Sequence, residues 1–355
     1  MAVAVAPAAR RTLTRTVVRP SWLALGAVAL AAAAGSAVGA DLPTVVVYAP
    51  FALSVVVLGL PHGAVDHLVP GRLGDGVTVR SVLWVALVYA ALMAAYAAAW
   101  FVVPTASFVF FVALTLFHWG QGDVYALLAL DDAEHLPTTA ERGLALLVRG
   151  GLPMLAPLVA FPGRYREVAL AAVSLFGADA AALAPLFSPT GRLAAAGGLF
   201  ALSVLGLVAG GLRVRAGAPR TPLLVDAGEV ALLWVYFAVV PPILAVGVYF
   251  CLWHALRHVA RLLVVSDEAS DALAAGDAAA ALGRFARDAA PLTAVSLLLF
   301  AGLWVAVPNA PGAGDRAGLL GLYLVGIAVL TLPHVVVVTW MDHRQGVWRP
   351  RRRES

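Results

Sequence analysis

Long apolar runs follow one another along nearly the whole chain, separated by short stretches that contain charged residues, proline or glycine. Each run has roughly the 20 residues that an α-helix needs to cross the hydrocarbon core of a bilayer. The pattern predicts about ten spans. They cover residues 22–40, 45–68, 81–103, 107–130, 143–161, 193–212, 223–240, 243–264, 289–307 and 317–337.

One further apolar segment, residues 167–187, is interrupted by Gly177, Asp179 and Pro185. We therefore expect an interfacial or re-entrant helix there and not another span. The predicted fold class is all-α, a polytopic bundle of transmembrane helices. A single domain over residues 22–340 is expected, preceded by a cytoplasmic arm (1–21) and followed by a basic cytoplasmic tail (341–355).

Composition supports the membrane assignment. The chain is 62% hydrophobic and only 12% charged, whereas about a quarter of the residues in a soluble domain are charged. A water-soluble fold is therefore excluded. The single cysteine, Cys251, lies in an apolar run, so neither a disulfide framework nor a cysteine metal site is expected.

The basic residues are all arginine and lie at the ends of the predicted spans instead of forming one basic face. Nucleic-acid binding is therefore not expected. Because positive charge accumulates on the cytoplasmic side, this placement predicts a multi-pass protein of the cytoplasmic (inner) membrane with both termini in the cytoplasm. The first apolar run is long and lacks a small-residue cleavage site, so we interpret it as a span and not as a cleavable signal.

Histidines occur in four clusters within the apolar runs: LPHGAVDH at 60–67, FHWGQGD at 117–123, WHALRH at 253–258 and LPH at 332–334. All four fall on even-numbered spans, which run in the same direction across the membrane. The histidines could therefore share one depth. An ionisable residue within a span is costly and usually faces the bundle interior, where it has a use.

His254 and His258 are four residues apart, so both project from one helical face and can bind one metal ion. His62 and His118 complete a set of four imidazoles, and His67 and His334 are further candidates. Asp66 and Asp123 could orient ligands through their second ring nitrogens. Imidazole suits iron, copper, zinc or nickel, so the residues alone do not select the metal.

Simpler interpretations exist for several of these residues. A single membrane histidine often makes an interhelical hydrogen bond, and His334 could bond to the carbonyl freed by Pro333. His135 and His343 lie in a loop or tail and are expected to be solvated. The glycines Gly63, Gly120 and Gly122 are expected to be close-packing sites.

Arg257 cannot be neutralised and therefore needs a buried acid. Asp123, Asp66 and Glu229 are the candidates, and we expect Arg257 to support the metal site with Asp66 and Asp123. Aromatic residues near the clusters either fill the bundle or line a cavity for an elongated apolar substrate. These residues are Phe117, Trp119, Trp253, Tyr249 and Tyr236.

In combination, LPHGAVDH, FHWGQGD, WHALRH and LPHVVVVTWMD resemble the signature of the Brp/Blh family of beta-carotene dioxygenases. The resemblance implies cleavage of the central double bond of beta-carotene by dioxygen, giving two molecules of retinal that a microbial rhodopsin would take up. It also implies Fe²⁺ as cofactor, with His62, His118, His254 and His258 as ligands. No motif falls within residues 130–192.

Three other functions fit parts of the pattern. A membrane di-iron hydroxylase or desaturase would need more paired histidines than His254 and His258. A bis-histidine haem protein would use two of the histidines as axial ligands. A proton-coupled transporter would use Asp66, Asp123, Glu229 and Arg257 as a relay.

Overall fold

Helices joined by short connections make up the described parts of the chain, residues 5–40, 42–74, 76–179 and 181–350, which contain no strand. The computed structural model thus confirms the predicted all-α class. Eleven of the helices are labelled here in chain order. They are α1 (Pro7–Ala37), α2 (Thr44–Val56), α3 (Val79–Val102), α4 (Pro104–Leu130), α5 (Thr139–Ala160), α6 (Pro162–Val173), α7 (Pro189–Arg215), α8 (Arg220–Val239), α9 (Pro242–Val265), α10 (Ala278–Ala306) and α11 (Arg316–Gln345).

Eight of these helices are long and apolar enough to cross a membrane, namely α1, α3, α5, α7, α8, α9, α10 and α11. The protein is therefore a multi-pass membrane protein. The 27-residue α4 contains the polar run from His118 to Asp123 and is not among the eight. The eight helices are two fewer than the ten spans predicted from the sequence, because α4 is not among them and α2 is also too short.

The predicted second span, residues 45–68, is wrong as a continuous helix. Helix α2 ends at Val56, and the chain continues through turns to a 3₁₀ turn at Asp66–Leu68. Residues 162–187 form α6 and three shorter helical turns, so no spanning helix lies in that segment. Helix α1 begins at Pro7, well before the predicted start, and Arg351, Arg352 and Arg353 of the predicted tail lie outside the described residues.

Local sequence signals define where several helices begin. Thr78 and Ser81 form a capping box at the start of α3, and Thr138 and Glu141 form one at the start of α5. In each box the threonine side chain accepts a hydrogen bond from a backbone N–H of the first turn. That N–H has no partner within the helix, so the cap satisfies it. Proline occupies the first helical position of α4, where its missing N–H costs nothing.

Helices α4 and α5 pack against each other at glycines. A Cβ atom at Gly120 would overlap the backbone carbonyl of Leu146, and one at Gly150 would overlap that of Leu116. The two backbones are therefore in direct contact, as small residues allow in membrane bundles. The expectation that Gly120 is a close-packing site is confirmed, and the contact fixes α4, which contains His118.

Replacing Gly120 by alanine should lower the free energy of unfolding by about 1–3 kcal/mol, because the methyl group forces the two helices apart. The matched control is Gly143→Ala in α5, where a Cβ atom would have nothing within 4 Å. Thermal unfolding of the detergent-solubilised variants measures both effects. Equal melting temperatures for the two variants would contradict the proposed backbone contact.

Candidate metal centre

Five imidazole rings meet in the interior of the bundle: His62, His118, His254, His258 and His334. Their residues are between 2% and 7% exposed. The His62 ring centroid lies 5.5 Å from those of His254 and His258 and 5.0 Å from that of His334. The His118 centroid lies 4.7 Å from those of His254 and His334. The four histidine clusters of the sequence therefore converge on one place.

Different local structures position these rings. His118 lies within α4 and His334 within α11, directly after Pro333. His254 lies in a π-helical turn of α9, Phe250–Ala255, and His258 follows in regular α-helix. Such π-helical turns are frequent at functional sites, because they re-aim a side chain without ending the helix.

His62 is not on a helix but in the turns after α2. Its Nδ1 is hydrogen-bonded to the carbonyl of Gly59. A Cβ atom at Gly59 would overlap Ser54 and Phe250, so only glycine allows this close approach. Because a carbonyl can only accept, Nδ1 of His62 carries the proton and its Nε2 lone pair remains available.

Several ring nitrogens are placed as ligand atoms. Among the described residues, two groups have ligand atoms that all lie within 4.8 Å of one another, one formed by His62, His118 and His334 and the other by Asp66, His258 and His334. Nε2 of His254 lies 3.1 Å from Nε2 of His118. Two nitrogens that bind one ion at about 2.1 Å are separated by roughly 3.0–3.4 Å, so this spacing fits a shared transition-metal ion.

Two of the other predicted residues take different positions. Asp66 accepts from Nδ1 of His334 at 2.7 Å, so it orients His334 and not His62. The same contact shows that His334 does not bond to the carbonyl freed by Pro333. His67 is half-buried, and its Nδ1 lies 3.0 Å from the carbonyl of Ala64, outside both groups of candidate ligand atoms.

Asp123 and Arg257 both contact Trp253, the residue before His254. Their hydrogen bonds, ion pairs and ring contacts among the described residues do not include any of the five imidazole rings. Asp123 accepts from Nε1 of Trp253 at 3.0 Å, and the Arg257 guanidinium lies 3.5 Å from the centre of the Trp253 ring. Arg257 pairs with Glu229 at 2.6 Å. Of the three acids considered for Arg257, Glu229 is thus the closest, and Asp123 follows at 3.9 Å.

The ion pairs extend to residues that the sequence reasoning missed. Arg149 of α5 pairs with Asp226 at 2.6 Å and with Glu229 at 2.7 Å. His135, expected to be solvated, is 1% exposed and lies 2.9 Å from Asp226, so that expectation is wrong. His343 is exposed, as expected. An arginine in the middle of an apolar run was the available signal for Arg149, because such a charge requires buried acids.

Asp131, in the connection after α4, lies beside this cluster of ion pairs. Burial, reinforced by the nearby negative charge of Glu229, raises the pKa of its carboxyl to about 7. The cluster thus continues from the membrane interior into the connection between α4 and α5.

A cavity of about 520 Å³ lies beside the histidines, and His62, His118, His334 and Asp66 form part of its wall. Most of the remaining wall is apolar. Of the five aromatic residues considered as substrate lining, Trp119 is on this wall. Phe117 is 37% exposed, and Tyr236, Tyr249 and Trp253 are buried with Trp119 in one apolar cluster, but none of these four is among the residues of the wall.

The fold and the site define a multi-pass helical membrane protein with a buried multi-histidine centre on the wall of an apolar cavity. Residues 53–342 match the family described as beta-carotene 15,15'-dioxygenase, and the chain belongs to that family.

Two similar relatives are from Halobacterium salinarum. The probable beta-carotene 15,15'-dioxygenase Blh is 49% identical over 341 residues, covering 96% of each chain. The probable beta-carotene 15,15'-dioxygenase Brp is 35% identical over 356 residues, again covering 96% of each chain. No solved structure matches the chain.

Replacing Glu229 by alanine leaves Arg257 without its closest acid and with Asp123 at 3.9 Å, whereas Arg149 keeps Asp226 at 2.6 Å. We expect a loss of about 3 kcal/mol in the free energy of unfolding, because the buried Arg257 guanidinium then lacks its close partner. Glu167→Ala is the control, since Glu167 forms an exposed pair with Arg164, which is worth about 0–1 kcal/mol. Denaturant titration of both variants in detergent micelles compares them, and a Glu229→Ala loss no larger than that of the control would refute the expectation.

Proposed function

We propose that this protein cleaves the central double bond of beta-carotene with dioxygen and releases two molecules of retinal. The observation that carries the proposal is the convergence of five buried imidazoles, three of which, His62, His118 and His334, lie on the wall of an apolar cavity. Such a cavity suits a hydrocarbon substrate, and such a centre suits a redox-active metal ion. The printed names of the 49% and 35% identical relatives support the same reaction.

Fe²⁺ is the proposed cofactor, with His62, His118, His254 and His258 as its ligands. The donor set fits, because neutral imidazoles bind Fe²⁺ well and Nε2 of His258 is buried without a hydrogen-bond partner among the described residues. Four neutral ligands would leave the charge of the ion intact. When bound, Fe²⁺ would supply the reactivity toward dioxygen that the side chains lack.

The side chains have a positioning role in this reaction. The carbon–carbon double bond and the dioxygen bond break, two carbonyl groups form, and each product keeps one oxygen atom. Because no proton is removed and no external reductant is needed, the site requires no general base. The apolar wall excludes water and holds the polyene beside the histidines, so the position of the substrate in the cavity selects the bond that is cleaved.

The substrate would enter from the lipid between α3 and α10. Ala86 and Ala90 of α3 and Val295 of α10 are exposed on the outside of the bundle and also line the cavity. A residue that has both properties lies at an opening. Since beta-carotene dissolves in the bilayer core, this lateral opening would admit it without passage through water.

The proposal also includes the orientation of the protein in the membrane. The arginines at the span ends support a position in the cytoplasmic membrane with both termini in the cytoplasm. Retinal released into the bilayer would be available to a microbial rhodopsin in the same membrane.

The other three functions receive less support from the geometry. The two groups of candidate ligand atoms share His334 and together contain four histidines and one carboxylate among the described residues, whereas a di-iron hydroxylase or desaturase needs several paired histidines. A haem between two axial histidines would need room that the rings, with centroids 4.7–6.3 Å apart, do not leave. Three of the four transporter candidates, Asp123, Glu229 and Arg257, are fixed in ion pairs with one another and with Arg149.

Expression in cells that make beta-carotene tests the function. We expect loss of the carotenoid colour and accumulation of retinal, with about two molecules of retinal per molecule of substrate consumed, as cleavage at the centre of a symmetric polyene requires. Alanine variants of His62, His118, His254 and His258 should lose both retinal formation and iron. His343→Ala, at an exposed position, is the control and should retain both.

Chromatography of the pigments and metal analysis of the purified proteins provide the readouts. Unchanged beta-carotene with the wild-type chain, in cells where its expression is verified, would refute the proposed reaction. Shorter or longer apocarotenals in place of retinal would refute cleavage at the central bond.

Narrowing the lateral opening should slow entry of the substrate. Ala90→Trp places a large ring between α3 and α10, so we expect kcat/KM for beta-carotene to fall at least about tenfold, as steric misplacement of a substrate commonly costs. Iron content should stay the same, because Ala90 is not one of the proposed ligands. Ala91→Trp, on an exposed position that does not line the cavity, is the control. Equal kcat/KM for the two variants in proteoliposomes would contradict entry at this opening.

A further inference from the structure

Asp66 differs from the other buried acids of the described residues. Asp123, Asp226, Glu229 and Asp342 each lie within ion-pair distance of an arginine. The carboxylate of Asp66 is 1% exposed, and among the described residues its ion-pair partner is His334 alone. A buried anion without a cation is costly, and a metal ion bound by a neutral His334 would supply the counter-charge that no arginine among the described residues provides.

His334 is held so that its free nitrogen points away from Asp66. Its Nδ1 lies 2.7 Å from Oδ2 of Asp66, and because an ionised carboxylate only accepts, Nδ1 carries the proton. The lone pair of the neutral ring is then on Nε2. This atom is buried and has no hydrogen-bond partner among the described residues. A metal-bound histidine has the same arrangement, with the second ring nitrogen donating to a carboxylate.

The position of His334 relative to the other rings agrees with a role as ligand. Both groups of ligand atoms within 4.8 Å of one another include His334, whereas neither includes His254. The His334 ring centroid lies 4.7 Å from that of His118, 5.0 Å from that of His62 and 4.9 Å from that of His258. The His334 ring thus lies within 5.0 Å of three of the other four rings.

Tyr89 completes the arrangement from α3. Its hydroxyl donates to the same oxygen, Oδ2 of Asp66, at 2.6 Å. The carboxylate therefore accepts from two neighbours, one on α3 and one on α11, which fixes its orientation. Tyr89 also lines the cavity, so this chain of contacts runs from the cavity wall to the metal centre.

We propose that His334 is a ligand of the metal ion beside His62, His118, His254 and His258, and that Asp66 and Tyr89 are the positioning residues that orient it. The anion of Asp66 then has its counter-charge in the metal ion, one imidazole away. This inference depends on one part of the proposed function, namely that a metal ion occupies this centre. It does not depend on the reaction.

Iron affinity of the purified protein tests the inference separately from catalysis. Apoprotein is titrated anaerobically with Fe²⁺ against a competing chelator, for the wild type and for His334→Ala, Asp66→Asn and Tyr89→Phe. Removing the partner of a metal-bound histidine typically weakens metal binding by about 10–100-fold. We expect a loss in this range for Asp66→Asn, a larger loss for His334→Ala and a smaller one for Tyr89→Phe.

Two further measurements separate ligation from a structural effect. Added imidazole should restore iron binding to His334→Gly, because it can occupy the vacated ligand position. Tyr96→Phe is the matched control for Tyr89→Phe, since Tyr96 lies on the same helix and its buried hydroxyl donates to the carbonyl of Ser107. Removing the Tyr96 hydroxyl should leave the iron affinity unchanged.

The outcomes distinguish the two proposals. Wild-type iron affinity in folded His334→Ala overturns the inference and leaves the proposed function standing. Loss of iron from Asp66→Asn with retention in His334→Ala also overturns it, because Asp66 would then be the ligand. A wild-type protein that binds no iron overturns the proposed cofactor together with the inference. If His334→Ala does not fold, His334→Gly purified in the presence of imidazole takes its place, and a failure of imidazole to restore iron binding to that folded variant overturns the inference.

Discussion

Inside a membrane bundle every buried charge must find its partner within the protein, because lipid offers neither hydrogen bonds nor counter-ions. This constraint organises the interior of this protein. Arg149 and Arg257 are surrounded by Asp123, Asp226 and Glu229. The ion pairs join α4, α5, α8 and α9, so the cost of burying the arginines is offset only when these four helices take one arrangement.

The same arrangement determines the geometry of the metal centre, because two of the four helices also provide histidines. Helix α9 presents Arg257 to the acids, and its His254 and His258 face the other rings. Trp253 is held by Asp123, which lies five residues after His118 on α4. The rotation of α9 and the depth of α4 are therefore both fixed by contacts that lie behind the histidines. His118, His254 and His258 are thus held on supported helices, whereas His62 lies in the turns after α2.

The sequence predicted those features that follow from the cost of burying polar groups. Histidines within apolar runs had to face the interior, and their four clusters do converge. The break after Val56 was missed, although Gly59, Pro61 and Gly63 are residues that commonly interrupt a helix. Tyr89 and the burial of His135 were missed since their partners, Asp66 and Asp226, are distant in the chain. Of the five aromatic residues predicted to line the substrate site, Trp119 lies on the wall of the cavity, and sequence alone does not separate the others because lipid-facing, cavity-lining and core residues share one composition.

An apolar cavity that opens to lipid has an energetic consequence for recognition. A hydrocarbon gains little by moving from the acyl chains into the cavity, since both environments are equally apolar. Selection of a substrate must therefore come from the shape of the cavity and from the fixed position of the metal centre on its wall. Rigid helices at the histidines are then a requirement of regiospecific cleavage, because displacement of the centre along the polyene would move the reaction to a different double bond. The ion pairs behind α4 and α9 provide that rigidity, which connects the buried charges to the identity of the product.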